Sequence, residues 1–167
     1  MRVLAIDPSL RSTGFAVLEQ EGRKLRAVTF GTIKNAPKLL ASSCLVAIHE
    51  RVIEIISQHQ PECAAFEAVI YVQSYRTAIV LGAARGAALL AAAQRGLPIY
   101  EYAPRRVKQS VVGRGAADKS QVGFMVRALL GLTETPPPDA ADALAIGLTH
   151  FQNAESASRG IAVMQRI

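Results

Sequence analysis

The hydrophobic period of this chain changes once, near residue 38, and that change limits the possible folds more than any other feature. Before it, apolar runs are short. Segments 3–6, 15–18 and 25–33 predict three strands. The intervals carry Pro8, Ser9 and Ser12 to Gly14, then Glu21-Gly22-Arg23, all residue types that favour turns. Strands so closely spaced predict an antiparallel meander. After the change, Leu45, Ile48, Val52, Ile55 and Ile56 recur at steps of three and four, which predicts a helix over 39–56, ended by Pro61. Strands and helices then alternate: a strand over 64–69 interrupted by Glu67, a helix over 77–94, a strand over 98–102, and helices over 105–112, 118–130 and 139–151. Asp118 and Gln121 are spaced as a capping box, and Gly131 stops that helix. Parallel neighbours need crossover helices. The expected fold is therefore α/β, a five-stranded mixed sheet with its first three strands antiparallel and helices on its faces. The 167 residues contain no linker or repeat. They predict one domain over 1–152 and a flexible Ser- and Ala-rich tail over 153–167.

Composition excludes several function classes. Cys44 and Cys63 form neither a disulfide framework nor a CxxC pair, and His49, His59 and His150 lack zinc-ligand spacing. Asp7 ends the first apolar run too early for a signal peptide, so a cytoplasmic location is expected. Residues 78–93 hold a single charge, Arg85. The run is short, alanine-based and split at its centre, so it predicts a core or oligomer helix and no membrane association. The net charge of +6 suggests a polyanionic partner, nucleic acid above all. Its densest part is 104–127, where Arg105, Arg106, Lys108, Arg114, Lys119 and Arg127 face Asp118 alone. Lys119 at a helix N-terminus opposes the helix dipole, a conflict that makes sense beside a phosphate.

Only four aspartates occur, and three of them sit at the ends of elements. Asp7 closes the first strand, where turn chemistry alone could account for it. Asp139 and Asp142 share a helix face at i and i+3, where capping and dipole stabilisation are equally ordinary. Glu67 follows Phe66 in an apolar strand and needs a partner, a proton or a metal if buried. Together the four can be gathered at one edge of a mixed sheet. Such a cluster repels itself unless divalent cations neutralise it, and oxygen-only ligands suit Mg²⁺ or Mn²⁺. Two such ions about 3.5–4 Å apart serve phosphoryl transfer. His150 lies two turns from Asp142, about 12 Å along the axis, and is expected to be structural.

The motifs resemble one family specifically. They are Ile6-Asp7-Pro8 with Thr13-Gly14, Phe66-Glu67, Ala84-Arg85-Gly86, Tyr100-Glu101-Tyr102-Ala103-Pro104, Val107-Lys108-Gln109, Lys119-Ser120-Gln121 and Asp139-Ala140-Ala141-Asp142-Ala143-Leu144. In this order, over residues 2–151, the sequence resembles the RuvC-type Holliday junction resolvases of the ribonuclease-H-like superfamily. The resemblance implies a homodimeric, Mg²⁺-dependent endonuclease that nicks four-way DNA junctions symmetrically in recombination and repair, leaving 5′-phosphate and 3′-hydroxyl ends. It implies that Asp7, Glu67, Asp139 and Asp142 are catalytic metal ligands and that Lys108 and Lys119 contact the scissile strand. It also implies that the Ala/Gly-rich helix forms the dimer, and that a RuvA–RuvB branch-migration complex is a partner. Arg105, Arg106, Arg114 and Arg76 extend the expected DNA track, the loop Gly113-Arg114-Gly115 allowing close backbone approach.

This sequence departs from the family pattern at three places. Ser9 replaces a usual glycine, which would strain a backbone needing positive φ. Ile70 stands where a DNA-stacking phenylalanine is common, with Tyr71 beside it as a substitute. Ser74 replaces a usual asparagine. Alternative readings are a non-catalytic junction-binding module, a ribonuclease-H-like nuclease for another structured nucleic acid, and a sugar-kinase-like phosphate turn over 7–14.

Overall fold

The computed structural model describes residues 1–22, 24–70, 74–160, 164 and 166–167. Its strands are β1 (Arg2–Asp7), β2 (Ser12–Glu21), β3 (Lys24–Lys34), β4 (Cys63–Glu67) and β5 (Ile99–Tyr102). Its helices are α1 (Ala41–His59), α2 (Tyr75–Gln94), α3 (Pro104–Val112), α4 (Lys119–Leu130) and α5 (Pro138–Ser158). The sheet order is β3-β2-β1-β4-β5. The first three strands pair antiparallel, while β1–β4 and β4–β5 are parallel, as the change of period predicts.

Alternation along the strands divides the core in two. Val3 and Ala5 of β1, Ala16 and Leu18 of β2, and Cys63 and Ala65 of β4 face α3, α4 and α5. Leu4 and Ile6, Phe15 and Val17, and Ala64 and Phe66 face α1 and α2. The central strands are covered on both faces, which explains their continuous apolar runs. Helix α5 is the innermost helix, with twelve buried residues from Ala140 to Asn153.

The elements differ from their expected bounds in three informative places. Ser12, Thr13 and Gly14 belong to β2 rather than to a turn, because Gly14 pairs with Asp7 and Thr13 with Ile33. Glu67 is the last residue of β4, so Ala68 to Ile70 leave the sheet. The tail expected from residue 153 does not begin there, since α5 continues to Ser158. Buried Asn153 is satisfied, donating to the Thr149 carbonyl at 2.7 Å and accepting from Arg106 at 2.9 Å. Beyond the helix, Arg166 bridges Tyr100, and the Ile167 amide donates to the Ile99 carbonyl on the β5 edge.

Helix α2 starts at Ser74, whose hydroxyl accepts from the Thr77 amide. It is long and apolar enough to cross a membrane. Here Ala84, Ala88, Ala91 and Ala92 pack into the core, and Arg85 pairs with Glu101 of β5. Its outward face shows Ile79, Val80 and Leu90. Both cysteines are buried free thiols. His150 is buried, sharing hydrogen bonds with Tyr102 (2.9 Å) and Cys63 (3.4 Å), and burial pushes its pKa down to about 4. It is a core histidine, as its distance from Asp142 predicts.

Candidate active site

Strand alternation places the first two carboxylates. Val3, Ala5 and Asp7 point to one face, and Cys63, Ala65 and Glu67 point to the same face. Because Ile6 registers with Phe66, the next step sets Asp7 and Glu67 side by side at the strand ends. Helix α5 delivers the other two from its first turns, Asp139 and Asp142, where a carboxylate suits the helix dipole. Asp7, Glu67 and Asp142 line one cleft of about 320 Å³ with Lys108, Lys119, Pro104, Val107 and Val122.

Crowding shows in the protonation of the acids. Burial, then the charges of Glu67 and Asp142, push Asp7 from 3.8 up to about 7, with Lys119 opposing and Asp139 adding to the rise. Glu67 is also raised, by burial first and Asp142 second. Lys119 is held above its ordinary value chiefly by its hydrogen bond to Asp142 Oδ2 at 2.7 Å. Its position is set by a complete capping box. Asp118 accepts from the Gln121 amide, Gln121 Oε1 accepts from the Asp118 amide, and Lys119 is thereby the first residue of α4. The conflict between that cation and the helix dipole is relieved by Asp142, across the cleft.

Among the described residues, no three carboxylate, imidazole or thiol groups converge closely enough to grip one ion together. Two of the four acids already have one oxygen engaged: Asp142 Oδ2 by Lys119, and Asp139 Oδ2 by the Ser12 hydroxyl. The four belong to one electrostatic neighbourhood all the same, since Glu67, Asp142 and Asp139 each act on Asp7.

A second cleft of about 330 Å³ opens from Asp7 and Glu67 the other way, walled by Val69, Ile70, Leu81, Pro104 and Arg105. Leu81 separates it from a third, lined by Ser9, Arg11, Arg76 and Thr77. The expected site residues thus fall into three groups. Lys108 and Lys119 stand with the carboxylates, Arg105 and Ile70 stand beside them, and Arg76 lies beyond Leu81. Arg106 and Arg114 line none of these clefts, and Arg106 is drawn to Asn153 on α5. Tyr71 lies outside the described residues.

The backbone settles two conditional expectations: at Ser9 the turn has adapted, and at Gly115 the expected open approach is not found. Ser9 is unstrained, because Gln60 is the only non-glycine with positive φ among the described residues. Thr13 supports it, its hydroxyl accepting from the Ser9 amide and donating to the Ser9 carbonyl. Gly115 does not leave open space for a phosphate. A Cβ there would lie 2.6 Å from Arg105 Cγ, so its bareness admits the Arg105 side chain. Sequence reasoning missed Ser12 and Val69. A hydroxyl opening a strand and a lone aliphatic residue carry no local signal of a site.

The mixed sheet, its strand order and the acids at the ends of β1 and β4 define the class: an α/β, ribonuclease-H-like resolvase fold. A yeast mitochondrial Holliday junction resolvase, 12% identical, shares the fold at a TM-score of 0.69 over 95% of this chain and 81% of its own. Residues 3–150 match the family model described as crossover junction endodeoxyribonuclease RuvC, and the chain belongs to that family. The crossover junction endodeoxyribonuclease RuvC of Akkermansia muciniphila is 55% identical over 155 residues, 93% of each chain. That of Edwardsiella ictaluri is 46% identical over 94% of this chain and 90% of its own. The structure of T. thermophilus RuvC in complex with Holliday junction substrate aligns at a TM-score of 0.89 with 37% identity, over 100% of this chain and 99% of that one.

Proposed function

We propose that this protein is a Mg²⁺-dependent endonuclease that resolves four-way DNA junctions by paired symmetric nicks in recombination and repair. The observation that carries the reading is the cleft in which crowded carboxylates adjoin two lysines, in a member of the RuvC family. A hard divalent cation fits that donor set. Every ligand is an oxygen, and positive charge at the centre would relieve the burial and repulsion that raise Asp7 to about 7. Asp7, Glu67, Asp139 and Asp142 would hold Mg²⁺, two ions per site, with Mn²⁺ able to substitute. Bound there, such ions would supply an activated water for in-line attack and charge stabilisation for the leaving 3′ oxygen.

The chain's own cations hold the phosphate. Lys119 exchanges Asp142 for a phosphate oxygen as the strand enters, and Lys108 approaches from α3. No histidine is needed as a base: none lines the carboxylate cleft, and His150 is buried against Tyr102 and Cys63. The products carry 5′-phosphate and 3′-hydroxyl ends. Arg105 and Arg76 follow the backbone on the far side of the carboxylates, while Arg106 and Arg114 add positive field. Ile70, with Tyr71 after it, packs against a base at the crossover. Two copies associate through the outward face of α2, so that two clefts meet two strands of like polarity. The remaining partner is a RuvA–RuvB branch-migration complex, and the compartment is the cytoplasm.

The test compares an end-labelled mobile four-way junction, a linear duplex and an RNA–DNA hybrid, all with Mg²⁺ at one salt concentration. Paired, religatable nicks confined to the junction are expected. Hybrid cleavage would overturn the substrate. Binding without cleavage, in Mg²⁺ and again in Mn²⁺, would leave a junction-binding module.

A further inference from the structure

We propose that Ser12 is a positioning residue for Asp139: its hydroxyl holds one carboxylate oxygen and leaves the other for an ion. The inference rests on the metal-site reading above and extends it to a residue outside the four acids. Ser12 is the first residue of β2, and its Oγ donates to Asp139 Oδ2. A serine hydroxyl has one proton to give, so the bond engages one carboxylate oxygen. Oδ1 of Asp139 makes no hydrogen bond among the described residues. Asp139 has no capping duty either, because α5 begins at Pro137-Pro138 without a side-chain cap.

The neighbouring residues hold this contact in place. Thr13 is fully buried, and its hydroxyl clasps both the amide and the carbonyl of Ser9, closing the β1–β2 turn. Gly14 pairs with Asp7 and lets α5 come very near, since a Cβ there would lie 2.0 Å from the Asp139 carbonyl oxygen. The start of β2 is therefore in fixed register with β1's catalytic end and in backbone contact with the first turn of α5. Ser12 ties the carboxylate of that turn to the same strand. Outer partners that orient metal ligands typically change metal affinity 10–100-fold when removed.

The experiment uses Ser12→Val and Ser12→Thr, which share a shape and differ by one hydroxyl. Mn²⁺ binding to the full-length protein without DNA is followed by electron paramagnetic resonance, with Asp7→Asn as reference and thermal melting as a check on folding. The expected result is Mn²⁺ affinity about 10-fold weaker in Ser12→Val, near wild type in Ser12→Thr, and a similar melting temperature in both. Equal Mn²⁺ affinity in the two variants would overturn the role of the hydroxyl, whether or not they melt differently. If Asp7→Asn also binds Mn²⁺ as wild type does, the metal-site reading fails and this inference fails with it. If Asp7→Asn loses the ion and Ser12→Val keeps it, only this inference fails.

Discussion

Strand β1 has an acid at each end of its surroundings, and the two are treated in opposite ways. At its start Arg2 pairs across to Glu19 of β2, with Arg2 Nη2 2.5 Å from one carboxylate oxygen and Arg26 on the other. Hydrogen bonding from Arg2, then the charges of both arginines, hold Glu19 below the usual carboxylate range. At the other end Asp7 is buried among Glu67, Asp142 and Asp139, with Lys119 as its one opposing charge, and it titrates near 7. Arginines were available to this sheet, and one end uses two of them on a single glutamate. At the acidic end only Lys119 forms an ion pair with a carboxylate among the described residues, and on the proposed reading a bound cation completes the compensation.

The largest test of that contrast is Asp7→Asn. Asparagine keeps the shape and removes the charge, so cleavage of a four-way junction should fall by more than about 100-fold, beyond the range for an outer partner of a metal. Junction affinity at fixed salt should be retained, because the cationic residues are untouched. Cleavage at an undiminished rate would remove Asp7 from the chemistry and make its raised pKa an accident of burial.

The same variant has a second, opposite effect on stability. The folded pKa of Asp7 lies above its unfolded value, so the native state holds the proton longer. Stability therefore falls as pH rises from about 4 to about 7, since the folded protein binds more protons than the unfolded chain over that window. A move from 3.8 to about 7 corresponds to at most roughly 4–5 kcal/mol at about 1.4 kcal/mol per pKa unit. At pH 8 without divalent ions, Asp7→Asn should melt several degrees above wild type, each kcal/mol being worth about 2–4 °C at this size. Millimolar Mg²⁺ should stabilise wild type and leave the variant unmoved. A variant that melts at or below wild type would show that the acids do not strain the fold.

Most of this arrangement was legible before any coordinates. The period change gave strand number and directions, because alternation and helical spacing are local properties of the side chains. The four acids were legible as a set that a mixed sheet can gather, but Glu67 reads as interrupting a strand over 64–69, and its place beside Asp7 comes from the end of β4 and the parallel register. The rest depended on long-range placement. The Ser12–Asp139 bond joins residues 127 positions apart, and nothing near Ser12 announces it. A Ser- and Ala-rich stretch reads as a tail, yet α5 runs on to Ser158, with Asn153 buried and bonded on both sides of its amide. Gly115 reads as a phosphate-binding glycine until the Arg105 side chain is seen filling its space.

Smaller in effect is the loss of the compensated end. Arg2→Met keeps the aliphatic stem but removes the hydrogen bonds to Glu19 and to the His59 carbonyl. It should lower the melting temperature by a few degrees, measured by circular dichroism, and leave the cleavage rate unchanged below the transition. A rate that falls in step with that of Asp7→Asn would mean that the two ends are coupled through β1, and the contrast between them would collapse.

The smallest effect is expected from Lys119→Met, which addresses the one cation already inside the acidic end. Lys119 is largely exposed, so its pair with Asp142 contributes little to stability, and the variant should melt within a degree or two of wild type. Its role is in exchange. On the proposed reading, the ammonium would trade Asp142 for a phosphate oxygen when DNA enters and release a condensed counterion. Removing it should reduce the salt slope of junction binding by about 0.7–0.9, the value for a single phosphate contact. An unchanged slope would mean that Lys119 stays with Asp142 in the complex. The acidic end would then be compensated in part by the chain itself, and would differ from the Glu19 end in degree rather than in kind.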